Sequence, residues 1–287
     1  MKWRQFIGWG LAVCGVVLVT VLVWPKGEPR YGGRYLSAWL KDCGEYHDEK
    51  DPRHIRAREA VRRIGTNGLP YMVRNINYKT PEWMVRVMGA TRRIPEPWSS
   101  WCYSVVERRN PAALAGAGFW VLGPQAAPAV GALVAMLDNR DGDNPARALW
   151  HIGRVAIPSL LAVVTNRAAG VHQRAEAAVA IWGMGTNASD TVEVLAGCLG
   201  EDEEVAGAAA WALCNVTTNA GFVIEVLTNA VKTASPQLRA KILYSFYPLG
   251  EGGWPAVPTI LTSFVDSDYE VRHAATNALN TILRGRH

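Results

Sequence analysis

The sequence has little cysteine: Cys14, Cys43, Cys102, Cys198 and Cys214 are scattered through 287 residues. That number and spacing exclude a disulfide scaffold and a paired zinc knuckle. Glycine and proline, 27 and 16 residues, show no triplet period and no dense tract, which excludes collagen-like and low-complexity architectures. Charged residues make up only 19%, with a net charge of +5, against 49% apolar residues, so the chain is no disordered tail and can bury a core. Signatures of chemistry are missing too. His47, His54, His151, His172, His273 and His287 form no HExxH pattern, and no metal site is expected. Asp138, Asp141 and Asp143 flank Gly142 without the ligand spacing or closing Glu of a calcium loop. There is no GxSxG, no phosphate-binding glycine loop and no Cys-His-Asp set, so neither a cofactor nor a catalytic residue is expected.

One stretch lacks charge altogether. Residues 6–24, FIGWGLAVCGVVLVTVLVW, would extend about 28 Å as a helix, close to the hydrocarbon thickness of a bilayer. Trp3, Trp9 and Trp24 lie toward its ends, and Lys2, Arg4, Lys26 and Arg30 flank it. A cleaved signal peptide wants a shorter run and small residues at the cleavage site, which Val21, Leu22, Val23, Trp24 and Pro25 do not supply. The expected organisation is a polar tail (1–5), a transmembrane anchor (6–24), a Pro/Gly tether (25–34) and one elongated domain (35–287). Flanking charge does not orient the span. The short polar head fits a tail inside and the bulk on the exported, periplasmic side.

Beyond the tether one pattern recurs: an apolar helix, a turn, an alanine-rich helix, then a stop. The stops fall at Ile64-Gly65, Ile94-Pro95, Leu122-Gly123, Ile152-Gly153, Met184-Gly185, Val216-Thr217, Leu249-Gly250 and, degenerately, Ile282-Leu283. A period of roughly 30 residues with two helices per unit predicts an all-α, right-handed solenoid of about eight hairpins, in which no unit buries its apolar face alone. Pro128, Pro158 and Pro258 sit near the starts of first helices, and Asp202, Asp266 and Asp268 near the starts of second helices, where they can cap free N–H groups. The segment from Asp266 to Leu283, with Val271, Arg272, Ala274, Ala275, Ala278 and Leu279, resembles a HEAT repeat of the short type also found in phycobilisome-lyase-like proteins. Leu122 to Asn139 resembles the first helix of such a unit, and Leu238-Arg239 and Arg174 with Ala177, Ala178 and Ala180 match in part. Asp141 and Gly142 depart from the pattern.

Three residues before the second residue of each stop runs a column that reads Arg62, Arg92, Trp120, Trp150, Trp182, Cys214, Tyr247 and Asn280. On a helical wheel it points away from the partner helix, toward the inner surface, where Trp211 and Tyr244 extend it. Such a stripe arises either from packing between neighbouring repeats or from an exposed binding face; if exposed, the indoles form a ladder spaced about 10 Å apart. Charge is also uneven. Residues 25–110 hold 17 Lys/Arg and 10 Asp/Glu, whereas 11 and 15 follow from Pro111 onward, so the end next to the anchor is basic, and Arg53, Arg56, Arg58, Arg62, Arg63, Arg92 and Arg93 form either a solvated face or a surface that meets anionic lipid or an acidic partner. The favoured function is a membrane-tethered, non-catalytic scaffold that holds a protein or peptide on its concave face through Arg62, Arg92, Trp120, Trp150, Trp182, Trp211, Tyr244 and Tyr247. Resemblance to HEAT-like DNA glycosylases or to bilin lyases implies other functions, but the span argues against a nucleic-acid partner and no specific residue supports a lyase.

Overall fold

A computed structural model describes residues 27–43, 51–79, 82, 110–139 and 144–284. The anchor 6–24, the stop at Ile94-Pro95 and the candidate Arg92 lie outside them. The described chain begins with an antiparallel ribbon of β1 (Arg30–Tyr31) and β2 (Arg34–Tyr35), followed by α1 (Leu36–Lys41). The end of the expected tether is therefore built into the domain. The Leu36 N–H donates to the Pro29 carbonyl at 3.0 Å, Trp39 Nε1 donates to the Tyr31 carbonyl at 3.0 Å, and Arg34 lies over the Trp39 ring. Polar groups that a free tether would leave to water are thus satisfied by the first helix.

The rest is helical. In chain order follow α2 (Pro52–Ile64), α3 (Leu69–Ile76), α4 (Pro111–Leu122), α5 (Val130–Ala135), α6 (Asn144–Ile152) and α7 (Ile157–Thr165). Then come α8 (Val171–Trp182), α9 (Val192–Gly197), α10 (Glu203–Val216), α11 (Ala220–Thr233), α12 (Pro236–Ser245), α13 (Val257–Thr262) and α14 (Tyr269–Arg284). The even-numbered helices from α4 to α14 pack each on the next, and each also packs on the odd-numbered helix beside it. This solenoid-like stacking depends on small side chains. Ala177, Ala178 and Ala180 in α8 and Ala206, Ala209, Ala210 and Ala212 in α10 are fully buried, which lets the helices approach closely.

The stops explain how each hairpin turns. Gly65, Gly123, Gly153, Gly185 and Gly250 all have positive φ, with φ/ψ of 55/−137° at Gly65 and 51/−129° at Gly123, a conformation closed to side-chain-bearing residues. Short 3-10 connectors start at or run through these stop glycines. The stop at Val216-Thr217 works differently. Thr217 is extended, its hydroxyl accepts from the Asn219 N–H at 2.9 Å, and Asn219 in turn caps α11 by accepting from the Phe222 N–H. Pro158 and Pro258 lie in the first turns of α7 and α13, and Asp268 accepts the N–H groups of Glu270 and Val271 at the start of α14. Asp202 makes no such cap on α10; its carboxylate faces Arg174 instead.

Two stretches, Pro111–Ala135 and Asn144–Thr165, have the length and apolarity of a membrane span. Each is folded at its stop glycine into two helices of the array, and half of the first is buried there. A hairpin bent in this way is core rather than a straight spanning rod.

Candidate ligand groove

The column picked out in the sequence does not stay together as one stripe. Trp120 and Trp150 lie near the ends of α4 and α6, and Trp182 is the last residue of α8. All three are half-buried. Trp150 and Trp182 do not form a ladder about 10 Å apart: their ring centroids are 5.8 Å apart, edge to face at 67°. The cause is Gly183. A Cβ there would fall 2.0 Å from Trp150 Cε3, so the missing side chain lets the indole lie down on the end of the next repeat. The Trp182 carbonyl accepts from Asn215 Nδ2 at 2.7 Å, so the following repeat also pins this helix end. Packing between repeats accounts for much of Trp150 and Trp182.

The remainder of the column scatters. Cys214 is buried against Ser245, and Arg62 is exposed on α2. Tyr247 falls past the end of α12, in the connector, and is 65% exposed. Tyr244 belongs to another cluster: its hydroxyl is 2.7 Å from His273 Nδ1, and His273 stacks on Tyr269. Trp211 is half-buried on α10 and, like Tyr244, does not line the groove described next.

Trp120 and Trp150 form the walls of a groove of about 590 Å³, completed by His151, Arg154, Val155 and Met184. Its lining residues include no carboxylate. Arginines lie on both indoles: the Arg58 guanidinium is 4.7 Å from the Trp120 ring centre and that of Arg147 is 5.6 Å from Trp150. Cations in this position are attracted by the ring quadrupole. Arg154 differs, since it pairs with Asp190 at 2.9 Å and donates to the Asn187 carbonyl.

At the opposite ends of the helices, where α8, α10, α12 and α14 begin, the charges neutralise one another. Arg174, only 2% exposed, donates to the Val164 carbonyl at 2.9 Å and pairs with Glu201 at 3.2 Å. Arg239 donates to the Ala234 carbonyl and pairs with Asp266 at 3.0 Å, and Arg272 reaches the carbonyls of Asp266 and Ser267. Burial works to raise the Glu201 pKa, but Arg167 and Arg174 hold it below the usual carboxylate range. The Asp268 backbone N–H and then Arg239 lower that of Asp266. Sequence reasoning saw these arginines as part of the repeat pattern and missed their role. The available signal was the common 27-residue step, from 174 to 201 and from 239 to 266.

The buried thiols are not poised as nucleophiles. Burial pushes both Cys43 and Cys214 up to about 12, against the opposing pull of Arg58 on the first and of the Ser245 hydroxyl on the second. Burial also raises Cys198. Among the described residues no group of His, Cys, Asp and Glu is placed to hold a metal ion.

The HEAT repeat family model matches residues 256–285, which include α13, α14 and the unit read from Asp266 to Leu283. The match supports a HEAT-repeat protein, and HEAT repeats generally serve as protein-interaction scaffolds. No curated protein matches the sequence.

Proposed function

We propose that this chain is a membrane-anchored, non-catalytic HEAT-repeat scaffold that holds a protein or peptide partner in the groove walled by Trp120 and Trp150. In this reading residues 6–24 span the bilayer and the array lies on the exported side. About eight hairpins form a right-handed solenoid whose concave face carries the groove. The basic end adjoins the membrane and meets anionic lipid headgroups. The observation that carries the reading is the groove itself: two indoles, each bearing an arginine, beside a wall without carboxylates. Aromatic and arginine side chains in concave, partly desolvated positions are the usual anchors of protein recognition.

The experiment is a pull-down from detergent-solubilised membranes with the full chain and with Val155→Asp. Val155 lines the groove and is 51% exposed, so the substitution obstructs the site without removing a packed side chain. The variant is expected to lose the partners retained by the wild type while melting at the same temperature. Equal capture by both proteins would remove the groove as the binding site.

A further inference from the structure

We infer that the first hairpin is a bilayer-contacting module: the outer arc of α2, with Arg56 and Arg62 around Ile55, lies on anionic lipid headgroups and fixes the orientation of the array. The inference rests on the anchor reading above and deepens it by naming the surface that meets the lipid. The first observation is the shortness of the link. The Glu28 carboxylate accepts from the Ser37 N–H and the Pro29 carbonyl from the Leu36 N–H, so the chain is already tied to α1 four residues after Trp24, the end of the apolar run. Four extended residues reach at most about 14 Å, and the headgroup layer itself takes up about 5–7 Å of that. β1 in turn packs on α2. An array leashed so closely cannot lift its first hairpin clear of the surface, and some face of that hairpin is turned to the lipid.

The charges say which face. The exposed residues of α2 from Ile55 onward, Ile55, Arg56, Glu59, Arg62 and Arg63, fall in one arc roughly 120° wide, opposite the buried Ala57, Ala60, Val61 and Ile64. Arg63 has an acid beside it, Glu59 at 3.7 Å, but Arg56 and Arg62 make no ion pair and no hydrogen bond with any described residue. Lys41 on α1 is exposed and equally unpaired, and Arg30 on β1 lies on the Tyr35 ring without an acid. Further along the array the rule is the reverse. Every Lys and Arg from Arg154 to Lys241 except Lys232 faces a carboxylate. A guanidinium without an acid in its own chain is matched by the phosphates of an anionic leaflet, whose surface potential attracts it. Ile55, 51% exposed, is an aliphatic side chain that can enter among the headgroups while the arginines reach round it to phosphate. An acidic soluble partner would meet the same cations, but the link keeps the bilayer within reach whether or not such a partner is present.

The test places the full chain in nanodiscs of phosphatidylcholine, alone or mixed with phosphatidylglycerol, with photoreactive p-benzoylphenylalanine in place of Ile55 or, as a control, of Val265, which is 86% exposed near the other end of the array. Mass spectrometry counts the lipid adducts. The Ile55 probe is expected to capture at least about fivefold more lipid in the mixed discs, the change that one cation near an anionic surface brings, and the Val265 probe to capture little in either. Arg56→Gln combined with Arg62→Gln should lower the Ile55 yield in mixed discs to that in phosphatidylcholine alone. A probe at Glu59, on the same arc, gives the same comparison if the Ile55 variant melts below the wild type. Absence of adducts on the arc, equal yields at Ile55 and Val265, equal yields in the two kinds of disc, or indifference to the double substitution would each overturn the inference. Alkaline carbonate washing separates it from the reading it rests on: a chain that washes out of the membrane ends both, whereas a chain retained without adducts on α2 ends this one alone.

Discussion

The two ends of the alanine-rich helices use arginine in opposite ways. Where the helices begin, Arg174 and Arg239 each bond a carbonyl of the preceding segment and an acid one repeat further on, so their charge is consumed in joining repeats. Near the helix ends, Arg58 and Arg147 rest on the Trp120 and Trp150 rings that wall the groove, without belonging to its lining. The fold needs the first arrangement: a desolvated guanidinium is tolerable only with its partners in place. In the second, each guanidinium lies against a ring face instead.

This contrast can be broken most severely at Arg174. Arg174→Met should cost about 3 kcal/mol, because it strands the Val164 carbonyl and breaks a buried ion pair. A denaturant titration that shows a loss comparable to a surface substitution would mean that the helix starts are no more structural than the groove. Next in size is Gly183→Ala. Its Cβ would drive into the Trp150 ring, and such overpacking costs about 1–3 kcal/mol. Trp150 would be displaced toward water, which should shift tryptophan emission to longer wavelength; unchanged emission would put the indole somewhere other than on Gly183. The smallest effect is that of pH. Glu201 and Asp266 titrate lower in the folded chain than in the unfolded one, so their contribution is complete above the ordinary carboxylate range and is lost as pH falls through and below it. Melting temperature should hold steady from neutrality to about pH 5 and decline below that, less steeply in Arg239→Met. A stability that rises on acidification would reverse the assignment.

Much of the fold was legible because it is written locally. A glycine after an apolar helix end, a proline in a first turn and an Asp before Glu270 and Val271 each act within a few residues, and the structure places them where the periodicity puts them. The site was less legible because its geometry depends on residues a full repeat away. The column of aromatics found Trp120 and Trp150, yet spacing on a wheel could not show that Gly183 leaves a recess for an indole 33 positions earlier. Arg58 was legible only as one of a run of basic residues, because the ring it covers lies 62 positions further on. Tyr247 was misplaced because α12 ends at Ser245, two residues short of the extrapolated register.

The joint at Val216-Thr217 has a practical consequence. At Gly65, Gly123, Gly153, Gly185 and Gly250 the turn depends on a backbone shape that only glycine adopts readily, so the length and identity of the link are fixed together. Thr217, Thr218 and Asn219 turn the chain with ordinary dihedrals and hydroxyl or amide bonds, and Thr218 and Asn219 are exposed. A fluorescent reporter or an epitope spliced in after Thr217 would give up the Thr217–Asn219 bond but keep the Asn219 cap of α11 intact on its far side. The array can therefore be tagged internally between two intact stacks, leaving the groove at Trp120 and Trp150 upstream and the matched repeat at 256–285 downstream.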